Sequence, residues 1–393
     1  MKKIIILGPP GPFVKRDYDR FGIALLKKKF SVKFLDFTPW LYPNLWKECS
    51  GESYKCEERI VISCKNDFLS FDSGTDSIIV LDHLEKNRKT NWARRQLRKR
   101  DSLFVAFDVN LIPLDQISST KFLKKFIDLI TKPKKFFYNF FKFFENKYYA
   151  LKTIYLPDVL VLGGLAAPRK SKVANKILAH SMDYDVYLKL KNKPISSNNS
   201  YAVFLDEDMI THPDNFIYNL GSPVSEFQYY SVLIKFLKKF EIDTGLQIKF
   251  AIHPKSRNNN LHNLLKGISF YRENTAELVK NSSVVLLHSS TSLSYAILFK
   301  KPAIFLTSNE LKNSWIGDRI NNFSKVINGQ LINMSNDLDK KLDAQSFLKI
   351  DKSKYKNYLD QYIKVPNSPD IPLWEIVTDF LKKKVPKDII KNL

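Results

Sequence analysis

Two short polar clusters interrupt strand-like apolar runs, and their residue types suit one kind of ligand. IKFAIHPKSR over 248–257 breaks at His253, Pro254 and Lys255. NTAELVKNSSVVLLHSSTSLSYAILFKKPAIFLT over 274–307 breaks at His288, Ser289, Ser290, Thr291 and Ser292. Hydroxyls and backbone N–H groups at the start of a helix favour an anion, because the helix dipole adds to them. His253 and Lys255 add a proton donor and a positive charge. Singly, a serine-rich helix start is an N-cap and a histidine-proline pair is a turn. On successive strands the two clusters predict a nucleotide-phosphate site.

A third cluster, Asp206, Glu207 and Asp208, closes the apolar run Tyr201 to Leu205. A carboxylate at a strand end can take the proton of an acceptor hydroxyl while histidine and hydroxyls hold a departing phosphate. Asp206 or Glu207 is the expected base, with His253 as its catalytic partner. There is no second carboxylate cluster to complete a metal site, so no metal or other cofactor is expected.

The elements that must position these clusters read as α/β. In the second half, strands are predicted at Tyr201 to Leu205, Gln247 to Ile252, Val284 to Leu287 and Pro302 to Thr307, with helices at Ser225 to Phe240 and Leu293 to Lys300. Residues 311–363 are less regular. In the first half, Lys3 to Leu7, a helix near Asp19 to Lys29 and Val32 to Asp36 make a βαβ opening. Strands follow at Arg59 to Ser63, Ser77 to Leu81, Leu103 to Asp108 and Val159 to Leu162. The loop after the first strand carries Gly8, Pro10 and Gly11 but lacks a GxGxxG or GxxxxGK pattern. It is expected to face a cleft on the acceptor side without gripping phosphate. Residues 189–200 read as a linker. The expected division is a Rossmann-like domain over 1–188, a second α/β domain over 201–365 that carries the phosphate site, and a final helix within 366–393.

At 393 residues the chain is long enough for two domains, since single cores stop growing near about 250–300 residues. A formal net charge of +23 predicts an anionic partner. No zinc spacing, helix-turn-helix or RNA-binding signature is present, which argues against nucleic acid. Cys49, Cys56 and Cys64 form an odd set without CxxC spacing and read as reduced thiols of a cytoplasmic protein. No run reaches the roughly 18 apolar residues of a membrane span. The basic run 91–100, with Trp92, reads as a solvated helix face or a contact with anionic lipid. Residues 132–149, KPKKFFYNFFKFFENKYY, fit either an interfacial helix on an anionic inner-membrane surface or a core or dimer helix.

The order of an acidic strand end, then HP, then SS resembles the bacterial sialyltransferase-type glycosyltransferases of the GT-B fold, which use CMP-activated acidic sugars. The resemblance implies two Rossmann-like domains facing across a cleft, with a C-terminal helix crossing back to the first. It implies that Asp206 or Glu207 is the general base of an inverting, metal-independent transfer. His253 and Pro254 would contact donor phosphate, and Ser289 and Ser290 would bind it. The family's acidic motif ends in Gly where this chain has Asp208. DYDRFG at 17–22, LDFTPWLYP at 35–43, AHSMDYD at 179–185, FLDED, HPKS and HSSTSLS resemble proteins of bacterial surface-polysaccharide clusters, so a glycan acceptor, including a lipid-linked one, is implied. HP, a serine pair and the run Lys301 to Phe305 also resemble transferases that build teichoic-type polymers from CDP-polyols. A UDP- or dTDP-sugar enzyme of the same fold and a non-enzymatic polysaccharide- or lipid-binding protein are the remaining alternatives.

Overall fold

A computed structural model describes residues 2–49, 51, 53–71, 77–113, 144, 156–195, 201–217, 220–258, 260–343 and 345–383. The basic aromatic stretch 132–149, apart from Phe144, and the second half of the linker, 196–200, lie outside them. Among the described residues no helix is long and apolar enough to cross a membrane.

Two parallel sheets carry the fold. The first contains β1 (Lys3–Leu7), β2 (Ser31–Asp36), β3 (Arg59–Val61), β4 (Ile78–Asp82), β5 (Ser102–Asp108), β6 (Val159–Leu162) and β7 (Asn175–Leu178), in the order β3-β2-β1-β4-β5-β6-β7. The second contains β8 (Tyr201–Leu205), β9 (Gln247–Ala251), β10 (Ser269–Tyr271), β11 (Val284–Leu287), β12 (Ala303–Thr307) and β13 (Gln330–Asn333), in the order β10-β9-β8-β11-β12-β13. The central strands are continuous Val, Ile, Leu and Phe runs because helices cover both faces of a parallel sheet. In β1, Ile4 and Ile6 enter one core and Ile5 and Leu7 the other, as the two-residue repeat requires.

Both sheets reverse strand order beside their first strand, between β1 and β4 and between β8 and β11. Ligands of open α/β sheets bind at the carboxyl ends of strands at such reversals. The expected two-domain architecture is therefore present, with the three predicted clusters on the adjacent strands β8, β9 and β11.

The chain returns to the first domain at its end. The Val365 N–H donates to Ala179 O at 3.0 Å, and the Leu373 N–H donates to Asp185 Oδ1 at 2.8 Å. The helix Leu373–Lys383 then places Leu373, Trp374, Ile376, Val377 and Leu381 in a first-domain core. Trp374 Nε1–H donates to Arg20 O at 2.7 Å. Its ring lies against Gly22, where φ is +60° and an added Cβ would fall 2.2 Å from Trp374 Cδ1. In place of the helix expected over 19–29 stand two short ones, Lys15–Arg20 and Ile23–Leu26, parted at Phe21 and the left-handed Gly22.

Trp374→Ala is expected to lower unfolding stability by about 3–5 kcal/mol, read from the denaturant midpoint, because it removes a buried ring and an N–H bond.

Candidate active site

The end of β8 braces the loops that follow both of its neighbours. The Asp206 carboxylate is buried; Oδ2 accepts the His253 N–H and Oδ1 the Asp208 N–H, each at 3.1 Å. Glu207 Oε1 accepts the N–H groups of His288 at 3.1 Å and Ser289 at 2.6 Å, and Oε2 accepts the Ser289 hydroxyl at 3.1 Å. Asp208 takes the Thr211 N–H at 3.2 Å and the Thr211 hydroxyl at 2.7 Å. Burial pushes all three carboxyls up, Glu207 and Asp208 each to about 7. Asp208 stands at φ +49°, a left-handed conformation that glycine adopts freely and Asp tolerates. Asp208 thus holds a turn of the kind that glycine favours.

His253 follows β9. Its Nδ1 accepts the Lys255 N–H at 3.3 Å, and Nδ1 of His212 accepts the Asp214 N–H at 3.1 Å. In the neutral state both rings therefore carry their proton on Nε2 and can donate from it. The ring centroids are 4.8 Å apart. Burial, then His212, Arg16, Lys255 and Arg20, holds the His253 imidazolium well below its ordinary range. Burial also lowers His212, with Lys255, Arg16 and Arg319 opposing the attraction of Asp214. Arg16 and Lys255 thus act on both imidazoles at the carboxyl ends of β8 and β9, beside the buried carboxyls.

The first domain supplies the opposite wall. Lys255 Nζ stands 3.1 Å from Asp17 Oδ2, and Arg257 Nη1 is 2.9 Å from Glu48 Oε2. Gly11, at φ +130°, adjoins this crossing; a Cβ there would lie 3.9 Å from Lys255 Nζ. Asp183 joins the domains from the other side. It pairs with Arg20 and accepts the hydroxyls of Ser294 at 2.6 Å and Tyr295 at 3.2 Å.

The structure brings Asp206, Glu207, His253, Lys255, Ser289 and Gly11 together, with Pro254 and Ser290 beside them in the chain, and turns His288 and Gly8 into the cores. His288 is fully buried; its Nδ1–H donates to Leu306 O at 2.6 Å, so its Nε2 receives the Tyr229 hydroxyl at 2.9 Å. Burial lowers its pKa to about 4, making it a neutral core histidine. Gly8 is buried, and an added Cβ would lie 2.0 Å from the Phe34 ring, while Pro10 is half-buried. The Ser290 hydroxyl accepts the Ser292 N–H at 3.3 Å, Ser292 and Pro254 are half-buried, and Thr291 is exposed.

Arg16, His212 and Arg319 act on the His253 region, and His83 is a buried first-domain histidine; the sequence reading singled out none of the four. Arg16 adjoins DYDRFG, Arg319 lies in the region read as irregular, and His83 directly follows the VLD end of β4. The His83 ring stacks on Phe107 at 4.2 Å, and its buried Nε2 has no hydrogen-bond partner among the described residues.

No family model matches this chain, and no curated protein does. Solved structures do match. The wall teichoic acid polymerase TagF aligns at a TM-score of 0.52 and 11% identity, covering 98% of this chain and 90% of the other. A Listeria monocytogenes protein described as a UDP-N-acetylglucosamine 2-epimerase aligns at 0.51 and 11%, covering 97% and 96%. The UDP-GlcNAc 2-epimerase of Methanocaldococcus jannaschii, solved with UDP-GlcNAc and UDP, aligns at 0.49 and 14%, covering 97% and 100%. The first two alignments, with the two facing parallel sheets, identify the fold as GT-B-type.

Asp208→Asn should keep the left-handed turn and remove a carboxyl whose folded pKa lies above its unfolded value. Such a group disfavours folding as pH rises from about 4 through about 7, when the folded state must give up its proton. The variant is therefore expected to melt about 2–4 °C higher than the parent above pH 7, with the difference vanishing in acid.

Proposed function

We propose that this chain is a glycosyltransferase whose nucleotide-sugar donor places its phosphate between His253, His212, Lys255, Arg16 and Arg319. The convergence of these groups at the strand-order reversal of the second sheet carries the proposal. A buried array of cations and neutral N–H donors lowers the energy of a leaving phosphate without needing to reorganise.

The reaction is a single displacement. The acceptor oxygen attacks the anomeric carbon from the face opposite the phosphate, and the bond from that carbon to the phosphate oxygen breaks with its electron pair. The acceptor proton passes to Glu207. Asp206 and Glu207 both hold backbone N–H groups of the neighbouring loops, so their hydrogen bonds do not separate them; Glu207, with a carboxyl near 7, is the better matched base. Inversion at the anomeric carbon follows from the single displacement, and the cationic pocket neutralises a monophosphate without a divalent ion.

The resemblance of FLDED, HPKS and HSSTSLS favours a CMP-activated acidic sugar as donor and a surface-polysaccharide or lipid-linked glycan as acceptor. The positive charge favours work at an anionic inner-membrane surface. The second reading, transfer of a polyol phosphate from a CDP-polyol, draws support from the cleft histidines His212 and His253. A UDP- or dTDP-sugar donor fits the same pocket.

A thermal-shift series with CMP, CDP, UDP, GDP and dTDP tests the donor, since a ligand of the native state raises its melting temperature. A shift with CMP supports the acidic-sugar reading, CDP the polyol reading, and UDP or dTDP the third; none with any nucleotide refutes all three. Ser289→Ala with Ser290→Ala is expected to weaken the bound nucleotide in calorimetry. In the active enzyme, Glu207→Gln should cut kcat by about 10²–10⁴-fold and abolish a rise in rate as pH passes about 7, where Glu207 loses its proton. Asp206→Asn should act mainly on KM, and chelator should leave the rate unchanged.

A further inference from the structure

Away from the cleft, the first domain carries a concave groove of about 680 Å³ on the outer part of its sheet's carboxyl edge. Trp40 follows β2, Lys65 follows β3, and Arg88, Lys89, Trp92 and Arg95 lie on the helix Arg88–Arg98 that follows β4. The two indoles meet edge to face at 5.9 Å and 85°, and both are half-buried. Lys89 stands over the Trp40 ring at 5.8 Å and Lys65 over Trp92 at 5.3 Å. The four cations are exposed, and no acidic side chain is among the groove's lining residues.

The helix is anchored for reasons unconnected with these cations. Arg94 is buried, and its Nε–H and Nη2–H donate to the two oxygens of Asp82 at 2.8 and 3.0 Å. Asn87 caps the first turn by accepting the Thr90 N–H at 3.0 Å. Arg88 and Lys89 occupy that turn, which contains no acidic residue. Positive charge there opposes the helix dipole and adds to its field. An anion in the groove would relieve both.

We infer that this groove binds an acidic saccharide chain, with sugar rings beside the half-buried Trp40 and Trp92 indoles and carboxylate or phosphate groups on Arg88, Lys89, Lys65 and Arg95. Indoles and cations together suit a chain that is apolar on its ring faces and anionic at its substituents. The concavity selects a chain over a bilayer, because insertion into a membrane requires projecting aromatics and these are recessed. The site is separate from the donor pocket and does not depend on the identity of the nucleotide.

The test is calorimetry on the full chain with oligosaccharides of α-linked sialic acid, neutral dextran oligosaccharides of matched length as control, and vesicles with and without phosphatidylglycerol. The acidic oligosaccharide is expected to bind, the neutral one not to, and added salt to weaken binding. Arg88→Glu with Lys89→Glu, on exposed positions, should reduce affinity by about tenfold or more. Trp92→Ala should weaken it with less salt dependence. The nucleotide-induced thermal shift should be unchanged in both variants, so a failed donor assignment leaves this result readable. No binding of the acidic oligosaccharide, equal binding by the double variant, or vesicle binding alone lost in that variant overturns the inference.

Discussion

The acidic end of β8 holds the candidate site in shape. A strand that stops at the rim of a buried sheet leaves the backbone N–H groups of the neighbouring loops in need of acceptors, and an unpaired buried N–H is costly. Asp206 supplies one acceptor to the His253 loop, and Glu207 supplies two to the His288-Ser289 loop. The carboxylates therefore set the position of both predicted ligand loops at once. Their burial also raises their own affinity for protons, which couples the shape of the rim to pH. The same residues that fix the loops carry the proposed chemistry, so substitutions at this end must be read through KM and kcat separately.

The cleft is spanned by ion pairs that a bound phosphate would compete with. Lys255 and Arg257 of the second domain reach Asp17 and Glu48 of the first, while Asp183 gathers Arg20, Ser294 and Tyr295 deeper in. The Asp183 junction and the returning C-terminal helix are the more buried contacts between the domains. A ligand that draws Lys255 away from Asp17 would alter the closure of one domain on the other, the hinge behaviour expected of a two-domain site.

Central strands and strand-end clusters were legible in the sequence because a doubly covered parallel strand is an unbroken apolar run ending in polar residues. The edge strands β7, β10 and β13 were not, since most of their residues are exposed and show no run. His288 illustrates a second limit: HSS reads as one polar cluster, yet its histidine turns into the core to meet Leu306 and Tyr229, a tertiary pairing that local sequence does not encode. Arg94 is another case. Its basic run fits a solvated helix face at Arg95 and Arg100, but Arg94 itself is buried on Asp82, twelve residues earlier. Arg16 comes near His253 only because the two domains fold against each other, and His212 and Arg319 act on the same region from segments of the second domain that are distant in sequence.

The account turns on an anionic group seated beside His253. Nitrogen-detected titration of the histidine rings, with His253 identified among the six histidines by His253→Gln, reads its protonation directly. The account predicts a neutral His253 throughout the ordinary histidine range in the free protein, with the pKa moving up when the nucleotide that stabilises the protein is bound. A His253 that titrates normally when free, or whose pKa is unmoved by that nucleotide, contradicts it.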